Sequence, residues 1–183
     1  MKTLKKRSSS WREIGVLIAL ASVLVIVRLP GIFAQAPHQD EYITLLEVAG
    51  NGKPDWPDEV TTAGQAARVL KESTTLADVT ANLRTDTQPP LYYWTLSLWR
   101  GWFGYSIEVA RGLSLLFSVG AALGFYGLLR AADLKYPWIP TLAYGFSSQA
   151  VFWGQNARDY AFASFFVTWA AYFAYRAVQS LTN

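Results

Sequence analysis

The sequence predicts an all-α integral membrane protein, with about four transmembrane helices plus juxtamembrane helices on its outer face. Hydrophobic residues make up 52% of the 183 residues and charged residues only 16%, against roughly 25% in soluble domains. Several long apolar runs are separated by polar segments. The charges are also sorted, because a basic start and an acidic stretch lie on opposite sides of the first apolar run. This sorting is typical of the two faces of a membrane.

The first apolar run, residues 14–34, is predicted to be a transmembrane helix that follows a basic cytoplasmic tail, residues 1–13. Its 21 residues would form a helix about 31 Å long, enough to cross a bilayer core of ~30 Å. Arg28, near its far end, is expected to extend to the interface. A cleaved signal peptide is the alternative, because the basic start and the small residues around Ala34 fit that pattern. The length of the run and the apolar runs downstream favour a retained span.

Residues 35–108 are predicted to form an outer loop that contains juxtamembrane helices. The stretch 35–89 carries nine acidic and only four basic residues. Short helices are expected at 40–50, 62–72 and 76–83. Asp40 is expected to cap the first of them, since Asp is a preferred residue at a helix N-terminus.

Residues 91–103 form an aromatic segment that is short for a span. Trp and Tyr favour the membrane interface, so this segment is predicted to be a helix lying along or dipping into the outer surface. If it does not cross, Arg130, Lys135 and Arg176 fall on the same side as the basic N-terminus. That arrangement obeys the positive-inside tendency.

Three more spans follow, and both chain ends are then cytoplasmic. The predicted segments are a span at 109–130, a cytoplasmic loop at 131–138, a span at 139–157, and a short outer turn with a span at 158–180. Gly120, Gly124 and Gly127 lie near one stripe of the second span, which indicates close helix packing. Glu108 and Arg111, at the start of that span, are interpreted as interfacial anchors.

Composition excludes several kinds of site. The chain has no Cys, so disulfides, thiolate nucleophiles and zinc–thiolate sites are ruled out. The single histidine, His38, cannot build a multi-histidine metal site. The basic residues form no long stripe, so no nucleic-acid partner is expected.

Two clusters of charged residues are placed on the outer face by this topology. Asp40 and Glu41 follow the first span, and a carboxylate there can deprotonate a hydroxyl or hold a cation. A helix cap with a solvated acid is the plainer interpretation from spacing alone. Arg158 and Asp159 lie in the turn before the last span. They either pair with each other or form part of a site in which Arg158 binds phosphate oxygens.

Five short motifs follow the first apolar run in order: Asp40-Glu41-Tyr42, Gln88-Pro89-Pro90-Leu91-Tyr92-Tyr93-Trp94, Phe103-Gly104, Ala110-Arg111 and Gln155-Asn156-Ala157-Arg158-Asp159-Tyr160. This set resembles the membrane glycosyltransferases of the C-type fold that are similar to protein O-mannosyltransferases, with the bacterial aminoarabinose transferases as relatives. The resemblance runs from about residue 12 to 180. Members of that family have many more spans, so it implies the N-terminal part of such an enzyme.

The resemblance implies a polyprenyl-phosphate sugar as donor, a protein or glycan acceptor, and transfer on the periplasmic or other extracytoplasmic face. The membrane would be a bacterial inner membrane or an ER-like one. Asp40 is implied as the catalytic carboxylate, with Glu41 as its neighbour and Asp159 as a second acid. The substrate-binding positions implied are Gln88, Pro89, Pro90, Tyr93, Arg158 and Tyr160. A divalent cation is the one cofactor that the acids could hold.

Two other functions compete with this prediction. A non-catalytic membrane subunit or scaffold would keep the fold and bind a lipid-linked glycan or a partner protein. A small transporter fits less well, because no ionisable residue is expected in the middle of a span.

Overall fold

The computed structural model describes residues 2–50, 62, 64, 70, 74–85 and 88–182, and within them the chain is all-helical, without a strand. The predicted all-α class is therefore confirmed for this part of the chain. The helices are α1 (Lys2–Ala34), α2 (Gln39–Val48), α3 (Leu76–Asn82) with a 3₁₀ turn (Leu83–Thr85), α4 (Pro90–Phe103), α5 (Ile107–Ala131), α6 (Trp138–Gly145), α7 (Ser148–Gln155) and α8 (Asp159–Thr182). The expected helix at 62–72 lies almost entirely outside the described residues.

Helix α5 is the centre of the bundle, and α1 runs antiparallel to it. The beginning of α1 meets the end of α5 where Arg130 pairs with Glu13 at 2.5 Å. The end of α1 meets the beginning of α5 where Arg111 donates a hydrogen bond to the Ile32 carbonyl at 2.9 Å. The bundle therefore has a Glu13 end, marked by Glu13 and Arg130, and an Asp40 end, which carries Asp40 and Arg111.

Helix α8 packs parallel to α5 along the predicted glycine stripe. A Cβ added to Gly120 would lie 2.8 Å from the Phe165 ring, and one added to Gly124 would lie 3.0 Å from Trp169. Trp169 also donates a hydrogen bond from its Nε1 to the Gly120 carbonyl at 3.1 Å. The prediction of close helix packing at these glycines is confirmed, since their missing side chains make room for the aromatic rings of α8.

The prediction of a single helix over 139–157 is wrong, because the segment is broken into two eight-residue helices, α6 and α7, while its crossing of a membrane stays a prediction. The Ser147 side chain accepts a hydrogen bond from the Ala150 N–H at 3.3 Å and caps α7. A serine that bonds to the local backbone competes with continuation of the helix. The break thus follows from a capping residue in the middle of the apolar run.

Arg28 occupies this break, so the expectation that it extends to an interface is also wrong. Its side chain is fully buried. Its guanidinium donates to the Gly145 carbonyl at 2.8 Å and to Ser118 Oγ at 3.1 Å. Carbonyls at a helix end lack partners within their own helix. Arg28 therefore satisfies backbone groups that the break between α6 and α7 leaves open.

At the Asp40 end, α2 to α4 form the predicted short helices with some changes. Asp40 is not the cap of α2, because His38 holds that position, without a side-chain cap bond, and Asp40 lies in the first turn. Helix α3 begins with a capping box between Thr75 and Asp78. Helix α4 starts at Pro90, as a proline at the first helical position allows.

Two helical segments among the described residues are long and apolar enough to cross a bilayer, namely Trp11–Ala34 and Ile107–Ala131. Core helices and signal sequences pass the same test, so this is a weak indication of membrane association. Large apolar side chains of α1 face outward, including Ile18 at 61% exposure and Ile26 at 63%.

Candidate functional site

A buried ion pair joins three elements at the Asp40 end. Arg111 donates to both carboxylate oxygens of Glu41, from Nε at 2.8 Å and from Nη2 at 2.7 Å. The two side chains are 1% and 0% exposed. The Ala157 N–H also donates to Glu41 Oε1 at 2.7 Å. Glu41 thereby ties α2 to α5 and to the turn before α8.

This pair changes two interpretations made from the sequence. Arg111 is not an interfacial anchor, because its Nη1 also donates to the carbonyls of Ile32 and Gln35, at 2.9 Å each. Glu41 is not a solvated acid, because burial and three hydrogen bonds hold it. A buried charge is tolerated only when it is paired and hydrogen-bonded, and both conditions are met here.

Arg158 lies in the turn between α7 and α8, next to Ala157, and its side chain contacts α2. Its Nη1 donates to Thr44 Oγ1 at 2.7 Å and to the Asp40 carbonyl at 3.2 Å. The side chain is only 7% exposed. Arg158 and Asp159, for which a mutual pair was one interpretation, do not come within salt-bridge distance in the structure.

The charge on Arg158 is well supported by its surroundings. Burial opposes the charged form most strongly, but Tyr93, Asp159 and Asp40 together favour it, so the pKa of Arg158 lies above its ordinary value. Its Nε is buried and has no hydrogen-bond partner among the described residues. The guanidinium therefore keeps unused donor capacity next to two carboxylates. The Arg158 cluster consists of Arg158 and the residues around it, namely Asp40, Thr44, Tyr93 and Asp159.

The two carboxylates of the Arg158 cluster are partly accessible. Asp40 and Asp159 have intermediate exposure. Each lies in the first turn of a helix, α2 and α8 respectively. Within the described residues, neither is in a salt bridge.

Tyr93 brings α4 to the cluster. It is 1% exposed and lies close enough to Thr44 and Arg158 to interact with both. Burial raises the pKa of Tyr93 well above its usual range, so it stays a neutral phenol with a hydroxyl that can donate. Tyr92 packs edge-on against Tyr93 with a ring-centroid distance of 5.6 Å.

The remaining predicted residues lie at the rim or apart. Tyr160 is 43% exposed, stacks on Trp153 with a centroid distance of 3.9 Å, and lies 5.9 Å from the Arg158 guanidinium. Gln88 and Pro89 form the approach to α4, and Pro90 is its first residue. No hydrogen bond, ion pair or ring contact among the described residues joins these last three to the Arg158 cluster.

The sequence reasoning missed two residues that hold the site together, Thr44 and Arg111. Thr44 lies one helical turn after Asp40, which places both on one face of α2. This spacing could have predicted that Thr44 belongs to the same site as Asp40. Arg111 is an ionisable residue at the start of an apolar helix, a position where a buried partner is a common explanation. The Ala157 N–H carries no sequence signal of its own.

In the part of the chain that the structure describes, no group of three or more His, Asp and Glu side chains is placed to hold a metal ion. Comparisons with family models, with curated proteins and with solved structures found no match to this chain. A function is therefore inferred from the Arg158 cluster and its place in the bundle.

Proposed function

We propose that this chain carries the donor-phosphate site and the catalytic base of a membrane glycosyltransferase that uses a polyprenyl-phosphate sugar. Four elements cross the bilayer in this proposal: α1, α5, α6 with α7, and α8. The Glu13 end is cytoplasmic and the Asp40 end extracytoplasmic. The basic residues at the start of α1 and Arg130 at the end of α5 support this orientation, because basic residues concentrate on the cytoplasmic side.

The observation that carries the proposal is the state of Arg158. It is more than nine-tenths buried, held in a fixed position by α2, and left with a donor that no described residue uses. Arginine binds phosphate oxygens through charge-assisted hydrogen bonds. A lipid-linked donor carries its phosphate at the depth where the Arg158 cluster lies in the proposed orientation.

The reaction assigns separate roles to the members of the cluster. An acceptor hydroxyl attacks the anomeric carbon of the sugar, and Asp40 takes the hydroxyl proton. The bond between that carbon and the phosphate oxygen breaks, and the electron pair leaves with the lipid phosphate. Arg158 stabilises the charge that develops on the phosphate. Asp159 lies within the cluster as a second acid that can orient the acceptor.

Glu41 is better explained as a positioning residue than as a catalyst. Both of its oxygens are engaged by Arg111 and by the Ala157 N–H. It is fully buried and cannot meet an acceptor. Its contact with the turn that carries Arg158 sets the distance between Arg158 and Asp40.

Donor consumption tests the proposal. Membranes containing the full chain would be supplied with polyprenyl-phosphate hexoses labelled in the sugar, and sugar release would be followed. Asp40→Asn is expected to lower the rate by about 10²–10⁴-fold. Asp133→Asn is the matched control, since Asp133 lies at the opposite end and has a positive φ of 56°, which Asn accepts readily.

Two results would count against the enzyme. If Asp40→Asn and the unmodified chain release sugar at the same rate, Asp40 is not the base. If neither releases sugar although both bind the donor, the non-catalytic subunit or scaffold is the better description.

A further inference from the structure

A concave site lies at the Glu13 end, away from the Arg158 cluster. It is a cavity of about 510 Å³ in the groove between α1 and α8, with α5 as its floor. Volumes of roughly 300–1,000 Å³ are typical of small-molecule sites. The groove is large enough to hold part of a lipid.

The walls of this groove are apolar along most of their length. Leu17 comes from α1, Leu123 and Gly127 come from α5, and Trp169 and Tyr172 come from α8. Gly127 and Tyr172 line the groove side by side, since a Cβ added to Gly127 would meet the Tyr172 ring at an ordinary contact distance of 3.6 Å. An extended acyl chain fits such a surface, because its burial removes apolar area from water.

The end of the groove is charged. Glu13, Arg130 and Arg176 all line it. Arg130 is paired with Glu13, whereas Arg176 forms no salt bridge among the described residues. Within the part of the chain that the structure describes, one positive charge is therefore left without a counter-charge at the mouth of an apolar groove. Tyr172, one helical turn before Arg176, is an aromatic residue of the kind that prefers the boundary between headgroups and acyl chains.

We propose that this groove binds an anionic phospholipid of the leaflet at the Glu13 end. Its phosphate lies against Arg176 and Arg130, and one acyl chain runs along Leu17, Leu123 and Gly127. The charge favours an anionic headgroup over a zwitterionic one. The binding is independent of the reaction proposed at the Asp40 end, because the two sites share no residue.

Native mass spectrometry of the full chain tests this proposal. The protein would be released from detergent micelles that contain either phosphatidylglycerol or phosphatidylcholine. The unmodified chain is expected to retain phosphatidylglycerol in preference to phosphatidylcholine. Arg176→Gln should lower that retention about fivefold to tenfold. Arg12→Gln is the matched control, because Arg12 is an exposed arginine near the same end that does not line the groove.

A second variant tests the acyl part of the site while leaving its charges intact. Leu123→Trp fills the groove and should also lower retention, with helix content checked by circular dichroism. The proposal is overturned if Arg176→Gln has no effect or if Arg12→Gln has an equal one. Equal retention of the two lipids, or unchanged retention in a folded Leu123→Trp protein, would overturn it as well.

Discussion

The two ends of the bundle each contain an Arg–Glu pair between helices, but the pairs differ in burial. Arg111 and Glu41 are 1% and 0% exposed, whereas Arg130 and Glu13 are 50% and 43% exposed. The buried pair has further partners, including the Ala157 N–H and backbone carbonyls of α1. The same two residue types therefore fix the architecture at one end and contribute little at the other.

The Glu13 half of the bundle is held in a different way. There the aromatic rings of α8 pack on the glycines of α5, with Trp169 over Gly124 and Tyr172 over Gly127. Polar contacts between distant residues concentrate at the Asp40 end, where the proposed chemistry needs fixed positions. The comparison indicates that the buried polar network fixes the positions of side chains at the Asp40 end, while packing of aromatic rings on glycines holds α5 and α8 together in the Glu13 half.

Breaking the two ion pairs gives the largest expected contrast. Glu41→Gln leaves the buried charge of Arg111 without a counter-charge, at an expected loss of about 3–5 kcal/mol of stability. Glu13→Gln, at the exposed pair, should lose no more than about 1 kcal/mol. Thermal unfolding in detergent, followed by tryptophan fluorescence, measures both. Equal shifts in melting temperature would contradict the distinction between the two ends.

Crowding the glycine stripe tests how the Glu13 half is held. In Gly124→Ala the new Cβ lies 3.0 Å from Trp169 Nε1 and 3.1 Å from Thr168 Oγ1, so overpacking should lower stability by about 1–3 kcal/mol. Gly112→Ala is the matched change on the same helix, with its nearest neighbour, Trp99, at 3.9 Å. It should be neutral or stabilising, since Ala is the better helix former. Thermal unfolding of the two variants should show shifts of opposite sign or clearly different size.

Removing one acceptor at the Asp40 end has a smaller expected effect. Thr44→Val keeps the shape of the side chain but takes away the oxygen that Arg158 Nη1 donates to. A hydrogen bond to a charged group contributes about 1.5–3 kcal/mol, and the Asp40 carbonyl still holds Arg158. A loss of about 1–2 kcal/mol is expected from urea unfolding.

Thr95→Val is the control for that change, because Thr95 donates only to the carbonyl of Leu91 within its own helix. It should stay within about 0.5 kcal/mol of the unmodified chain. An equal loss in both variants would mean that Thr44 matters for its helix and not for Arg158.

The smallest effect concerns an exposed acid at the Asp40 end. Hydrogen bonds from Thr75 and Thr74 hold the pKa of Asp78 below its usual value of 3.8. Because the folded pKa is depressed, the stabilisation of α3 is present above the usual pKa and is lost as pH falls through the lower one. Acidification should loosen the start of α3, and Asp78→Asn should remove that pH dependence. Amide exchange at positions 78 and 79 measures the loosening of α3 as the pH falls. A pH dependence that persists in Asp78→Asn would contradict the role given to the Asp78 carboxylate.

The sequence predicted a helix correctly where the signal lies within that helix itself. The apolar runs gave α1 and α5, and Pro90 with the aromatic run gave α4. The break at Ser147 was missed, because a single capping serine inside an apolar run does not interrupt its hydrophobicity. Four crossings of a membrane stay a prediction, since only two helical segments are long and apolar enough by themselves.

The candidate site was predicted in part, for a physical reason. Asp40, Arg158, Asp159 and Tyr93 do come together in the structure. The partners of Arg28 and Arg111 could not be predicted from residues nearby in the sequence. Glu41 is 70 residues from Arg111, and Gly145 is 117 residues from Arg28. Such pairs are fixed by tertiary packing, which no local periodicity encodes.

Binding of a short-chain polyprenyl phosphate tests the central claim most directly, namely that the Arg158 cluster recognises a lipid phosphate. Arg158→Gln should weaken binding at least about tenfold, the loss of one charge-assisted contact. Arg84→Gln, at an exposed arginine beside α3, should leave the Kd within about twofold. If Arg158→Gln binds the lipid phosphate as tightly as the unmodified chain does, the cluster is not a phosphate site and the proposed function falls with it.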